Sequence, residues 1–369
     1  MAHDSASPDE QRNAPQIVDL FAGPGGLDVA AHWLGVPTTG IEWDDGAFET
    51  RRAAGILTNK GDVRKFAPSD FPMSTVLAAG PPCQTFTVAG SGSGRKALDE
   101  VLKFVKMMAA GEDVTTAVEQ LDDERTGLVL EPLKWLLAAT AGGRPYDAVI
   151  LEQVPAVLPV WEAFEEALQS MGVGYKTRSG VLQAEAFGVP QTRRRAVLIA
   201  NRHFQPELPS KTHERFTHRA RALQATHAPA GRPCVGIWDA LRLSPSFSRD
   251  YPFEVVSNYG SGGNPSARGR RLHTEPAATV TGKITRNRVV DSSGTDRGRF
   301  SHSEAGLLQT FPYDFPWSGK DIGQQIGNAI PPRLGVHVIS AALGLAVDTE
   351  TLDRVVAMSW AQSAGALAP

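Results

Sequence analysis

The chain has 369 residues, a formal net charge of −3 and hydrophobic, aromatic and charged fractions ordinary for a globular protein. Its two cysteines, Cys83 and Cys234, leave no room for a disulfide framework or a cysteine zinc site, so no metal is expected and a reducing cytoplasm suits it. Residues 1–14 are polar and read as a disordered tail rather than a signal peptide, and no apolar run approaches the roughly 20 residues of a membrane span, so no membrane contact is expected. The length exceeds what one hydrophobic core supports, which predicts two lobes. Charge is unevenly spread: residues 201–300 hold sixteen Lys and Arg against eight Asp and Glu, a local +8 that leaves −11 for the rest. Such a segment is either a solvated basic surface or a face built to meet phosphates.

Taken in order, Ile17 to Phe21 predicts a first strand, followed by the turn Ala22-Gly23-Pro24-Gly25-Gly26-Leu27 and a helix through Asp28 to Leu34. Strand, glycine turn and helix open a nucleotide-type α/β unit, in which glycine lets backbone approach a ligand closely. The turn is not the dinucleotide G-x-G-x-x-G, which speaks against a nicotinamide enzyme and leaves room for a smaller nucleoside. A second strand ends in Glu42-Trp43, an acid about twenty residues past the turn where a ribose is gripped, beside an indole face for a purine. Gly61-Asp62-Val63-Arg64 supplies another acceptor, suited to an exocyclic amine.

Thr75 to Ala79 is a short apolar run, so Gly80-Pro81-Pro82-Cys83-Gln84 should leave the carboxyl end of a buried strand, where open α/β sheets put their ligands. The two prolines make the platform under the thiol stiff. Val88 to Lys96, small and glycine-rich, reads as a loop that can swing over a bound polyanion. Ala97 to Leu121 carries apolar residues at Leu98, Val101, Leu102, Val105 and Met108, the spacing of an amphipathic packing helix. A helix over Glu131–Ala139 precedes the strand Asp147 to Glu152, which would place a carboxylate level with Cys83 in a parallel sheet. A helix over Trp161–Met171 and strands near Thr177–Leu182 and Ala196–Ala200 bracket Gln191-Thr192-Arg193-Arg194-Arg195; alternation predicts Arg193 and Arg195 on one face and Arg194 on the other.

From Arg202 to Arg299 the periodicity fades, and Asn258 to Leu272 is a glycine- and arginine-rich stretch expected to be mobile without a partner. The α/β rhythm returns in Gln324 to Pro332 and a helix over Arg333–Leu345. The economical architecture is a doubly wound lobe built from residues 15–201 and 321–369, interrupted by a small basic lobe over 202–320.

These blocks, in this order, resemble the DNA (cytosine-5)-methyltransferase family. The resemblance covers most of the chain outside 202–275. It runs through Asp19 to Gly26, Glu42-Trp43, Gly61 to Val63, Gly80 to Gln84, Glu152-Gln153-Val154 and Gln191-x-Arg193-x-Arg195, then Arg299-Phe300-Ser301 to Glu304, Leu308-Gln309-x-Phe311-Pro312 and Gln325 to Pro332. Two departures stand out. Gln153 occupies a position that is usually asparagine, and 97–121 looks like an insertion. The resemblance implies an α/β, Rossmann-like S-adenosylmethionine-dependent lobe with a small, irregular, β-rich target-recognition lobe.

It also implies roles. Cytosine C5 is a poor nucleophile until something adds at C6, and a thiolate attacks and leaves readily, so Cys83 is the expected nucleophile. Glu152 would donate to N3, and Arg195 and Arg193 would hold the base or orient Glu152. S-adenosylmethionine would meet Phe21, Gly23, Pro24, Gly25, Gly26, Leu27, Glu42, Trp43, Asp62, Val63, Pro82, Leu128, Asn328 and Ala329. The target base must leave the duplex to be reached. Thr279 to Lys283 resembles a stretch of the family's recognition region, and Gln84, Arg270, Arg271, Thr281, Lys283, Arg286 and Arg288 are the expected DNA contacts, most of them to phosphate. The expected partner is duplex DNA, met by a monomer, with a restriction endonuclease acting independently or none at all. Two other readings stay open: a transfer RNA cytosine-5 methyltransferase, which the arginine-rich lobe opposes, and a regulator that binds DNA without catalysis, of which Gln153 would be the symptom.

Overall fold

Strands β1 (Ile17–Leu20), β2 (Thr38–Glu42), β3 (Thr58–Lys60), β4 (Val76–Ala79), β5 (Ala148–Gln153) and β6 (Lys176–Gln183) supply all but one strand of the main sheet in the computed structural model. It describes residues 14–82, 92–121, 123–217, 231–257 and 269–368. The remaining strand, β8 (Arg194–Asn201), follows the two-residue β7 (Gln191–Thr192), and the sheet order is β3-β2-β1-β4-β5-β8-β6. β1, β4 and β5 are near-continuous apolar runs, as parallel strands covered on both faces must be. β3 is a short polar edge strand with no apolar signal to mark it in the sequence. β8 runs antiparallel to both neighbours.

Side-chain alternation divides two cores across this sheet. Val18, Leu20, Val149, Leu151, Ala196 and Leu198 point to one face, with helices α3 (Gly92–Ala109), α6 (Glu131–Ala141) and α7 (Leu158–Ser170). Ile17, Ala148, Ile150, Val197 and Ile199 point to the other, with α1 (Gly26–Leu34), α11 (Pro332–Leu343) and α12 (Thr349–Val356). The remaining helices are α2 (Asp45–Ala53), α4 (Thr115–Glu119), α5 (Glu124–Gly127), α8 (Ile237–Leu241), α9 (His302–Leu308) and α10 (Ile322–Asn328). Both ends of the chain thus build one lobe.

The small lobe has its own core, in which Ile237, Phe253, Val255, Val280, Ile284, Val289 and Phe300 meet. Its antiparallel sheet has the order β10 (Arg270–Leu272), β9 (Phe253–Val256), β12 (Arg288–Asp291), and β11 (Ala277–Ala278) pairs instead with β7 of the large lobe. The cores divide the chain differently from the expected border at 320. Leu307 and Leu308 belong to the small core, but Phe311 and Phe315 pack with α1 and α11, and Leu208 lies on the large lobe.

Two further expectations change. The residues expected to swing as a loop from Val88 are helical from Gly92 onward, because the apolar stripe of Val101, Val105 and Met108 carries α3 and propagating an existing helix costs little. That helix stops at Ala109, so 97–121 is not one helix. In the stretch expected to be mobile, Arg270–Leu272 is strand β10, held by β9; residues 258–268 lie outside the described residues, as does the tail up to residue 13.

Candidate active site

Register brings the site together. Leu20 pairs with Ile41 and Ala79, and Ala79 pairs with Leu151, so Phe21, Glu42, Gly80 and Glu152 emerge at one edge of the sheet. This edge lies where the strand order reverses between β1 and β4, the switch point of an open α/β sheet. A cavity of about 1100 Å³ opens there. β8 starts where β5 ends, with Glu152 opposite Val197 and Gln153 opposite Ala196, so Arg195 comes beside Glu152. Arg195 Nε lies 2.6 Å from Glu152 Oε1, an ion pair with both side chains largely buried.

The glycine turn is shaped by close approach. Gly25 has φ 105°, and a Cβ on Gly26 would lie 2.2 Å from the Ile330 carbonyl oxygen, so only glycine lets the first and last segments of the lobe interlock. Phe21 is left-handed at φ 61°, an unusual conformation for a non-glycine residue. Gly23 N donates to Glu42 Oε2 at 2.6 Å and Asp44 N to Glu42 Oε1 at 2.5 Å, so this carboxylate holds the turn in place. Burial raises the Glu42 pKa, and those two N–H groups and Arg51 lower it. Beneath the turn, Arg51 and Asp28 form a fully buried pair at 2.7 Å. Nothing in the local sequence singles out Arg51. What could have found it is Gly40, whose missing Cβ leaves space for the guanidinium: a Cβ there would meet Arg51 Nη2 at 2.0 Å.

Of the residues expected around the cofactor, Phe21, Gly23, Pro24, Gly26, Leu27, Glu42, Trp43, Asp62, Val63, Pro82, Leu128, Asn328 and Ala329 line this cavity, and Gly25 shapes the turn from outside it. Trp43 is 63% exposed, its indole offered to whatever enters. Asp62 is paired with Arg64 at 2.5 Å, and that hydrogen bond holds its carboxyl below the usual range. The described lining carries six carboxyl side chains, Asp19, Glu42, Asp44, Asp62, Glu152 and Asp321, against the single guanidinium of Arg195. Burial, reinforced by Asp28, pushes the Asp19 carboxyl well above its ordinary value. An acid-rich wall with a free indole and a glycine turn fits a cationic nucleoside such as S-adenosylmethionine.

Cys83 and Gln84 lie outside the described residues. The segment leading to them is in place: Pro82 lines the cavity, and a Cβ on Gly80 would lie 3.8 Å from Glu152 Oε2. Gln153, the departure from asparagine, donates from Nε2 to the Pro81 carbonyl at 2.7 Å and accepts from Val154 N at 2.5 Å, so it ties β5 to the cysteine loop.

Arg193 requires a correction. It was expected beside Arg195 at the base, but it does not line the cavity, because β8 begins only at Arg194 and strand alternation does not extend back to Arg193. It is 1% exposed and donates to three backbone carbonyls. Burial and then Arg195 lower its pKa while Glu152 raises it; the three acceptors keep the guanidinium bound as a cation.

On the small lobe the expected DNA contacts separate into two groups. Arg270 is paired with Glu254 at 2.8 Å, Arg288 with Asp296 at 3.3 Å, and Arg271 lies over the Phe216 ring at 4.8 Å. Lys283 and Arg286 are exposed, with no acidic partner among the described residues, and Thr281 Oγ1 accepts from Lys283 N at 3.3 Å. From the same turn, Gly282 and Thr285 line the cavity, as does His302. His302 was missed, although the capping box of Ser301 and Glu304 marks it as the first residue of a helix.

No described helix is long and apolar enough to cross a membrane, and no group of His, Cys, Asp and Glu among the described residues could hold a metal ion. The family model for C-5 cytosine-specific DNA methylase matches residues 16–108 and 119–343, so the stretch outside the family pattern, 109–118, is much shorter than the expected 97–121. The Type II methyltransferase M.NgoFVII of Neisseria gonorrhoeae is 25% identical over 91% of this chain and 88% of its own length. The Type II methyltransferase M1.HphI of Haemophilus parahaemolyticus is 27% identical over 88% of this chain and 86% of its own length. Among solved structures, the S. pombe Dnmt2 methyltransferase aligns with a TM-score of 0.59 at 18% identity over 89% of this chain and 98% of that one, a likeness of fold. Because the family match runs through both walls of the cavity and well over half of the chain, this protein is a member of the C-5 cytosine-specific DNA methylase family.

Proposed function

We propose that the protein methylates cytosine at C5 in duplex DNA, using S-adenosylmethionine, on a base turned out of the helix and bound covalently through Cys83. The observation that carries this reading is the Glu152–Arg195 pair in the wall of the acid-rich cavity, beside the strand end that leads to Cys83. When bound, S-adenosylmethionine supplies an electrophilic methyl group. Glu42 would take the ribose, Trp43 the adenine face, and Asp62 and Val63 its edge, while Phe21, the glycine turn, Leu128, Asn328 and Ala329 close around the rest.

Cys83 Sγ, as thiolate, adds to C6 and makes C5 nucleophilic. Glu152 meets N3 as charge builds on the ring, and Arg195 orients Glu152 and faces O2. After C5 is methylated it loses its proton to water or hydroxide, the C6–S bond breaks, and the C5–C6 double bond returns. The cavity's volume accommodates a nucleoside and an extruded base together. Lys283 and Arg286, on the turn that lines the cavity with Gly282 and Thr285, would take phosphates. The Type II relatives support a place in a restriction-modification system. In this proposal the protein acts as a monomer in the cytoplasm, with an endonuclease that acts separately.

Incubation with labelled S-adenosylmethionine and duplex DNA, followed by bisulfite sequencing, should show 5-methylcytosine in one sequence context. Label entering transfer RNA but not duplex DNA would replace this reading with the RNA one. A 5-fluorocytosine duplex should trap the protein covalently, because fluorine does not leave as a proton does, and Cys83→Ser should abolish the trap.

A further inference from the structure

The three carbonyls that Arg193 serves belong to both lobes. Nη1 donates to Val280 O at 2.9 Å, and Nη2 donates to Gly327 O at 2.9 Å and Ala329 O at 3.0 Å. Val280 sits in the small lobe's core and leads directly into the turn that lines the cavity with Gly282 and Thr285 and exposes Lys283 and Arg286. Gly327 and Ala329 flank Asn328, and all three line the cavity. The seam between these segments is backbone against backbone: a Cβ on Gly327 would lie 2.3 Å from Gly282 N and 2.4 Å from the Thr281 carbonyl carbon. Gln191 and Gln309 form a second tie. Gln191 accepts from Val280 N at 3.0 Å and donates to Gln309 Oε1 at 2.7 Å, and Gln309 donates to Ile326 O at 2.5 Å and Ala329 O at 3.2 Å.

A seam packed this closely has no slack, so a displacement of one side is passed to the other. Arg193 is its hub, because one rigid planar fork fixes all three carbonyls at once. We infer that Arg193 is a positioning residue that couples the two ligands of the enzyme: by locking the 280–286 turn to the Gly327–Ala329 segment, it makes occupation of the nucleoside site strengthen duplex DNA binding, and DNA strengthen nucleoside binding by the same factor. This inference rests on the proposed function for the identity of both ligands.

The test is a binding cycle on the full chain, with S-adenosylhomocysteine and a fluorescein-labelled duplex containing the cytosine mapped by bisulfite sequencing. In the wild type each ligand should tighten the other by at least about fivefold, equally in both directions. In Arg193→Lys, which keeps the charge but not the three-way fork, each ligand alone should bind nearly as in the wild type, with the mutual factor falling toward one. A variant that retains the full factor, or that loses each single affinity while keeping the factor, overturns the inference and leaves Arg193 a structural staple. If Arg193→Lys does not fold, amide exchange on the wild type decides: S-adenosylhomocysteine without DNA should protect residues 280–286, and unchanged exchange there overturns the proposal. Wild type that binds neither ligand refutes the functional reading and this inference together, whereas binding of both without mutual effect refutes the inference alone.

Discussion

On the sheet side of the cavity, carboxyl groups dominate and are held from behind: Glu42 by two backbone N–H groups, Glu152 by Arg195, and the glycine turn by the buried Arg51–Asp28 pair. On the small lobe, outside the cavity lining, the exposed charges are cationic: Lys283 and Arg286 have no acidic partner among the described residues, and Arg270 and Arg288 are paired on the surface. In the proposed function the sheet side is a preorganised place for a cation and for chemistry, which needs fixed geometry. The small lobe would offer a surface for a polyanion, which needs charge more than rigidity. The contrast implies that substitutions on the sheet side should cost rate or fold, and that those on the small lobe should cost affinity in a salt-dependent way.

The most direct way to break this contrast is Glu152→Gln. It should lower kcat by about 10²–10⁴ while S-adenosylhomocysteine and DNA affinities change little, as single-turnover kinetics and binding titrations would show. A variant with full turnover would remove Glu152 from the chemistry. Arg51→Met should next cost about 3–5 kcal/mol of unfolding free energy in urea, because Asp28 is left buried and unpaired. A loss under 1 kcal/mol would show that the turn is not braced from below.

Stability should also depend on acid through the large lobe. Burial, with Arg333 nearby, lowers His213 to about 4 and His337 to about 3, against 6.5 for a free imidazole. The unfolded chain therefore binds more protons than the folded one below pH 6.5, so stability is complete above that value and falls as pH drops toward 4 and 3. Urea midpoints measured against pH should show this loss, and His337→Leu should flatten the profile.

Smaller effects sharpen the comparison. Glu42→Gln should raise KM for S-adenosylmethionine about tenfold or more with little change in kcat, as expected for a charged hydrogen-bonding group that binds ground and transition states alike. Lys283→Ala and Arg286→Ala should each weaken DNA binding modestly and reduce the salt slope by about one, while Arg270→Ala, whose charge Glu254 already meets, should leave the slope unchanged. Equal slopes for all three would mean that the surface ion pairs open on DNA and that the division within the small lobe is false.

What could be read in advance follows from where local pattern decides structure. The strand and glycine turn at Ile17–Leu27, the acid ending β2 and the carboxylate ending β5 were legible because parallel strands are apolar runs and ligands sit at their carboxyl ends. Arg193 was misplaced because the break between β7 and β8 resets the alternation, which no single residue announces. Arg51 was missed because its burial depends on Gly40 of another strand. The resemblance implied a β-rich small lobe, but its individual strands were not legible, because β9, β10 and β12 are three or four residues long and gain their meaning from pairing across a chain separation that periodicity does not see.

The core that holds α1 is completed by α11 and α12, which enter more than three hundred residues later. During synthesis the first strand and its glycine turn therefore wait on the ribosome with an apolar face uncovered, while among the described residues every buried member of the small lobe's core except Ile326 has already been made. Assembly of the large lobe thus waits for α11 and α12, and protease resistance measured on nascent chains stalled before and after residue 343 would time it.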